Sequence, residues 1–357
     1  MVTIKDFVDG LQFGGLVEHG GLAMLPILHA PDADADADAD ADPPYLLLQD
    51  AAASGLIRVA ELEMATVPEI MFENLSDRPV LMLGGEELAG ARQNRIINLT
   101  ILAPPQAKIV IPVSCVEAGR WRPISREFAP TPALAFRKLR ARTVAQVTRA
   151  LRTVGRARTD QWAVWADVEE KLANLRVTSP TSSMRAAYDQ RLPELEDYIR
   201  VLTWCPGQVG AVFALDGQPA GLDLFDHQKT CARILPRLLR GYALDALEQQ
   251  ICKTELRSEE PACSSKPGTA SSLEATLRSW AISIGQAETF SRPAIGMGTD
   301  VRIESTAVAG AALWAEDRYL HLCAFPAGDG GHQRPDLDFV NMQRPRRRSE
   351  RRHRDVH

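Results

Sequence analysis

No Cys-x-x-Cys pair occurs anywhere in the 357 residues. The six cysteines, Cys115, Cys205, Cys231, Cys252, Cys263 and Cys323, are scattered, which excludes the common zinc and dithiol spacings and reads as a reduced interior. No apolar run is long enough for a bilayer, which takes about 20 residues. The longest uncharged segment, Val201 to Leu215, is interrupted by Pro206, Gly207 and Gly210. The start, MVTIKDFVDG, places Lys5, Asp6 and Asp9 where a signal peptide needs continuous apolar residues. A cytoplasmic location is the expectation. Lysine is scarce as well, at 7 of the 41 basic residues, so arginine is the habitual cation of this chain and its presence alone says little about phosphate. Phosphate-loop, Gly-x-Ser-x-Gly, His-Glu-x-x-His and kinase strings are missing. No cofactor or metal ligand set is therefore assigned.

What remains is an ordinary globular composition, 45% hydrophobic and 24% charged, with enough length to bury a substantial core. The formal charge of -5 conceals two unlike segments. Asp32 to Asp42 carries six aspartates alternating with alanine, and Arg344 to His357 carries seven arginines against Glu350 and Asp355. Residues 32–42 and 331–357 are both expected to be disordered, since neither offers an apolar face. Net charge alone identifies no partner.

Between these segments the pattern alternates between strand and helix signals. Residues 21–30 and 45–48 read as short strands. EIMFENL, PVLMLGGEEL, RIINLTILA and KIVIPVSCV read as four successive strands of an antiparallel unit, with a hairpin at Leu75 to Pro79. Apolar residues at three-and-four spacing then predict helices over 136–154 and 162–175 and a third helical run over 184–202, which Pro193 bends or restarts. Asp216-Gly217 marks a hairpin within residues 210–225. A helix from about His227 to Gln250 follows, with Asp226 read as its N-cap. A Ser/Pro-rich linker, a helix through Leu273 to Ile284, and a closing hairpin built from VRIESTAVAGAALW and YLHLCAF complete the order. The expected class is α+β: an antiparallel β-rich core with a central helical insert and a closing C-terminal hairpin. Residues 1–330 are expected to form one domain, strand-rich over 15–125, helical over 131–205 and α+β over 206–326.

Polar residues concentrate in GGEELAGARQNR and IPVSCVEAGRW, spanning Gly84 to Trp121. Glu86, Glu87 and Glu117 supply candidate catalytic carboxylates. Gln93, Asn94, Arg95 and Arg120 supply amide and guanidinium donors suited to a phosphate or a sugar edge. Cys115 adds a thiol and Trp121 a stacking surface. The plain alternative is internal pairing, with Arg95 on Glu117 or Glu86, Asn94 capping a turn, and Cys115 and Trp121 serving as packing.

The strings GGEELAGARQNRIINLTILAP, IPVSCVEAGRW, GAVFALDGQPAGLDLF and VRIESTAVAGAAL, in that order, resemble the uncharacterised family named for association with ADP-ribosylglycohydrolase (ARG) and rhodanese-phosphatase superfamily proteins. The resemblance covers nearly the whole chain; the Asp-Ala insert and the Arg-rich tail stand outside it. It implies a setting of ADP-ribose or nucleotide-phosphate metabolism, linked to RNA repair or conflict systems, and Glu86, Glu87, Gln93, Asn94, Arg95, Cys115, Glu117, Arg120 and Trp121 as the site.

A second function class competes with a nucleotide-metabolite site. The helix after Phe136 carries basic residues from Arg137 to Arg158 with no acid between them, and Arg142, Arg149 and Arg152 share a face. That makes it a candidate contact for RNA or a protein partner in a non-catalytic module. Ordinary pairing with Asp160, Asp167, Glu169 and Glu170 of the next helix is the plain reading. Asp223, Asp226 and His227 form a third, smaller cluster, read chiefly as a helix start because His29 and His321 are remote in sequence.

Overall fold

Strand β3 (Leu22–Leu28) shows how one apolar strand builds two cores. Its residues alternate across the sheet, so Leu22 and Met24 enter one core while Ala23, Leu25 and Ile27 enter the other. Strand β13 (Gln208–Leu215) repeats the division, with Ala211, Phe213 and Leu215 on one side and Val212 and Ala214 on the other. Both faces are covered, which explains a continuous apolar run where a half-exposed strand would alternate with polar residues. The computed structural model describes residues 2–29, 41–62, 68–259 and 270–328. Most of the Asp-Ala segment, the centre of the Ser/Pro-rich linker and the basic tail lie outside these residues.

The large sheet is antiparallel and nine-stranded, in the order β1-β3-β13-β14-β18-β17-β16-β15, with β2 also paired to β3. Here β1 is Gln12–Phe13, β2 Val17–His19, β14 Gln218–Phe225, β15 Glu288–Pro293, β16 Thr299–Glu304, β17 Val308–Ala315 and β18 Arg318–Pro326. Asp216 and Gly217, both at positive φ (49° and 75°), turn β13 into β14 as expected. The closing hairpin is β17–β18, and β16 forms a separate strand because Ser305 turns the chain between them.

One face of this sheet carries α7 (Gln228–Glu259) over β13 and α3 (Arg137–Val154) over β17 and β18, with α4 (Gln161–Asn174), α5 (Arg185–Gln190) and α6 (Leu192–Val201) packed around α7, while α2 (Leu48–Ala53) belongs to a separate β unit. The opposite face carries α1 (Ile4–Asp9) and α8 (Ala270–Ser283). Local signals explain several boundaries. Asp160 caps α4 by accepting from the Trp162 and Ala163 amides, and Gly155 ends α3 at φ 70°. The run 184–202 is two helices rather than one, with Pro193 in the first turn of the second.

The second β unit departs from the expected four strands. The string PVLMLGGEEL divides into β7 (Val80–Met82) and β8 (Glu86–Gly90), and RIINLTILA into β9 (Arg95–Ile97) and β10 (Ile101–Ala103). Strand β7 pairs with β10 and with β4 (Leu46–Leu47), whereas β8 and β9 join a six-stranded sheet, β12-β8-β9-β11-β6-β5. That sheet includes β5 (Ile57–Glu61), β6 (Glu69–Asn74), β11 (Lys108–Cys115) and β12 (Phe128–Leu134). Leu75 to Pro79 is consequently a link between sheets, not a hairpin. Gly84 makes the exchange sterically feasible: a Cβ there would lie 3.2 Å from the Leu99 Cα. A bridge between Ala60 and Glu127 brings the two edges of the six-stranded sheet together. A core of Ile70, Phe72, Leu88, Ile97, Ile111 and Val113 lies within the unit.

Candidate functional site

Consecutive residues of a strand point to opposite faces, and this separates Glu86 from Glu87. Glu86 turns toward α7, where it accepts from Arg237 and from the Leu83 amide at 2.7 Å. Arg237 also donates to the carbonyls of Thr131, Pro132 and Ala133. Glu86 thus forms part of a clamp between α7 and the bulge in β12.

Glu87 turns the other way and is fully buried. Thr131 donates its hydroxyl to Oε2 at 2.7 Å, Asn94 donates Nδ2 to Oε1 at 3.3 Å, and Arg185 approaches to 3.9 Å. Burial pushes the Glu87 carboxyl up to about 7, more than these donors pull it down, and the nearby Glu117 charge adds to the rise. Asn94 connects Glu87 to Glu117: its backbone amide donates to Glu117 Oε2 at 3.2 Å, while its Oδ1 accepts from Arg120 at 2.8 Å and from the Gly90 amide at 3.3 Å. Arg120 also holds Glu117 at 2.7 Å and the Ala91 carbonyl at 2.7 Å. Thr181 donates to Glu117 Oε1 at 2.7 Å from the loop between α4 and α5. The same loop is fastened over β11 by Gly119 N–H to the Thr181 carbonyl and Met184 N–H to the Val116 carbonyl.

A third group surrounds Cys115. Arg95, opposite Cys115 in the β9–β11 register, reaches its Sγ at 2.7 Å, Gln93 Oε1 at 3.2 Å and Glu61 at 3.6 Å. Gln93 also donates to the Glu117 carbonyl, which ties this group to the second. Gln161 exchanges two 2.8 Å bonds with the Cys115 backbone. Burial pushes the thiol up to about 11 despite Arg95, so it is protonated near neutral pH and unsuited to nucleophilic work. Trp121 meets Trp165 edge-on at 6.4 Å.

Glu87, Gln93, Asn94, Arg95, Cys115, Glu117 and Arg120 therefore join one hydrogen-bonded system, while Glu86 belongs to another. Arg95 pairs with Glu61 and Cys115 rather than with Glu117 or Glu86. Thr131, Thr181 and Arg185 carried no sequence signal. Thr131 lies in FAPTPAL, whose two prolines disguise an edge strand, and the other two come from the helical insert.

Asp226 does not cap α7. It accepts from Tyr45, and His227 Nδ1 instead takes the Lys229 amide at 3.1 Å. Asp223 and His321 are close, because β14 and β18 are neighbours. Asp223 receives a two-pronged Arg140 guanidinium, Tyr242 at 3.3 Å and His321 Nε2 at 3.2 Å, and His321 Nδ1 lies 2.9 Å from Thr100 Oγ1. The basic helix is largely compensated: Lys138 pairs with Glu170, Arg142 with Asp167 at 2.9 Å and Arg152 with Glu304 at 2.7 Å, whereas Arg149 is exposed.

A family model, the ARG and Rhodanese-Phosphatase-superfamily-associated Protein domain, matches residues 10–325. No curated protein and no solved structure matches the chain. Among the described residues, no helix is long and apolar enough to cross a membrane, and no group of three or more His, Cys, Asp or Glu residues could hold a metal ion.

Proposed function

Because the chain belongs to the ARG and Rhodanese-Phosphatase-superfamily-associated Protein family, we propose that it binds and processes an ADP-ribose-like or other phosphorylated nucleotide metabolite. The family name supports the nucleotide setting, and one observation carries the chemistry. Glu87 is a buried carboxyl held near 7, joined through Asn94 to a second carboxylate whose charge Arg120 balances. A group that titrates near the working pH can both give and take a proton, which cleavage of a glycosidic or phosphate linkage requires.

In this reading Glu87 transfers the proton and Glu117 is the charged carboxylate beside it. Arg185, whose side chain is 34% exposed, is the cation through which solvent and the ligand phosphate reach Glu87. Arg120 supplies the second guanidinium. Thr181 and its loop cover the pair, so substrate entry involves displacement of that loop.

Calorimetric titration of the full chain with ADP-ribose, NAD and nucleoside diphosphates tests the assignment. Arg185→Ala is expected to weaken binding roughly tenfold, the value of one charge-assisted contact, with the unfolding temperature unchanged. An affinity equal to that of the unmodified protein would remove Arg185, and with it this route to Glu87.

A further inference from the structure

The basic residues of α3 are balanced along most of its length and unbalanced at its end. Arg140 is matched by Asp223, Arg142 by Asp167, and Arg152 by Glu304. Among the described residues, Arg156, just beyond the helix, has no hydrogen-bond or carboxylate partner, and Arg292 of β15 has only a bond donated to the Gly155 carbonyl at 3.3 Å. Both arginines face a cleft of about 630 Å³, together with Arg158.

That volume lies within the range of roughly 300–1,000 Å³ typical of small-molecule sites. Leu99, Val110 and Ile295 give it an apolar wall. Val110 is 41% exposed, a large hydrophobic side chain left uncovered on the strand. Among the described residues, two carboxylates also border the cleft. Asp300 is occupied by the buried Arg302, at 2.7 and 2.9 Å, which leaves Glu69, among the described residues, against Arg156 and Arg292. The segment bearing Arg156 and Arg158 is fixed at both ends: Gly155 closes α3, the Asp160 amide donates to Gln146 Oε1 at 2.9 Å, and Thr159 bonds Ser114 at 2.6 Å. The backbone that carries Arg156 and Arg158 is thus held in place before a ligand arrives, which lowers the ordering cost of binding.

We infer that this cleft is an anion site for a small phosphate-bearing ligand, whose phosphate contacts Arg156, Arg158 and Arg292 and whose less polar part lies on Leu99, Val110 and Ile295. Guanidinium groups match phosphate oxygens in charge and in paired donor geometry. None of the residues bonded to Glu87 lines the cleft. The inference therefore stands whether or not Glu87 transfers a proton.

The probes are inorganic pyrophosphate and ADP, titrated calorimetrically into the full chain. ADP is expected to bind more tightly than pyrophosphate because only it engages the apolar wall. Arg156→Glu and Arg292→Glu are each expected to reduce affinity for both probes by roughly tenfold or more. Arg156→Gln and Arg292→Gln should show smaller losses in the same direction. Arg149→Glu, on the same helix and exposed, is expected to leave binding within about twofold. Absence of pyrophosphate and ADP binding to the unmodified protein would overturn the inference. So would equal losses in Arg149→Glu, which would indicate general surface attraction, or retained affinity in both cleft reversals. Loss in Arg185→Ala with retention in the cleft variants would move the phosphate to the Glu87 site.

Discussion

Asp223→Ala is expected to destabilise the protein by about 3–5 kcal/mol, because it strands a buried guanidinium. Arg140 and Asp223 are both buried, and the carboxylate also accepts from Tyr242 and His321. Burial by itself would raise the Asp223 carboxyl. The Arg140 charge overrides that effect and holds it below the ordinary value, and the His321 bond acts in the same direction. Its stabilising contribution is consequently present above the unfolded carboxyl range and is lost as pH falls through the depressed folded value. His321 is held below its usual value by burial, which Asp223 only partly offsets, and an imidazole protonated at Nε2 satisfies both Asp223 and Thr100. Urea unfolding measures the loss. Replacing both partners, with Arg140→Met and Asp223→Leu, should recover much of it because no charge is then left unpaired. A loss below about 1 kcal/mol for Asp223→Ala would contradict this description of the junction between the large sheet and α3.

Glu87→Gln is expected to act in the opposite direction on stability. The folded state holds the Glu87 proton up to about 7 against an ordinary carboxyl value of 4.5, so between those values the folded protein binds more protons than the unfolded chain. Stability then falls as pH rises through that interval and levels off above it. The interval corresponds to about 3 kcal/mol. The neutral amide removes this dependence, and Glu87→Gln should unfold later than the unmodified protein at pH 8 while differing little at pH 4. Asp226, pushed up to about 6 by burial, contributes a slope of the same sign that persists in the variant. If Glu87 is the proton-transfer group, turnover of the metabolite should fall about 10²–10⁴-fold in the same variant. Unfolding followed against pH provides the check on stability, and an unaltered slope would show that Glu87 is charged in the folded state.

These two residues also show where sequence patterns stop being informative. The helices of the central insert were legible because apolar residues at three-and-four spacing record one buried face, and the β13–β14 hairpin because Asp216-Gly217 has few other uses. The four-strand reading of 67–116 failed since Gly84 and the Asn98–Thr100 segment let the two middle runs pass from one sheet to another. Proximity in sequence put Glu86 and Glu87 in one candidate site, yet strand alternation sends them to different networks. Conversely, Asp223 and His321 are 98 positions apart and meet only because β14 lies beside β18. Pairing of charges was foreseeable in kind but not in partner: Arg142 finds Asp167 on the next helix, as the plain reading held, whereas Arg95 finds Glu61 on a strand that carried no expectation. The net charge of -5 reveals none of this, because a sum does not record which guanidinium meets which carboxylate.

Thermal unfolding of the full chain in the presence of ADP-ribose, NAD and a panel of nucleotides, each compared with buffer, tests the nucleotide-metabolite claim most directly. A true ligand at about one hundred times its Kd should add about 2.7 kcal/mol and raise the unfolding temperature by several degrees. The same unfolding temperature with every compound as in buffer would contradict it.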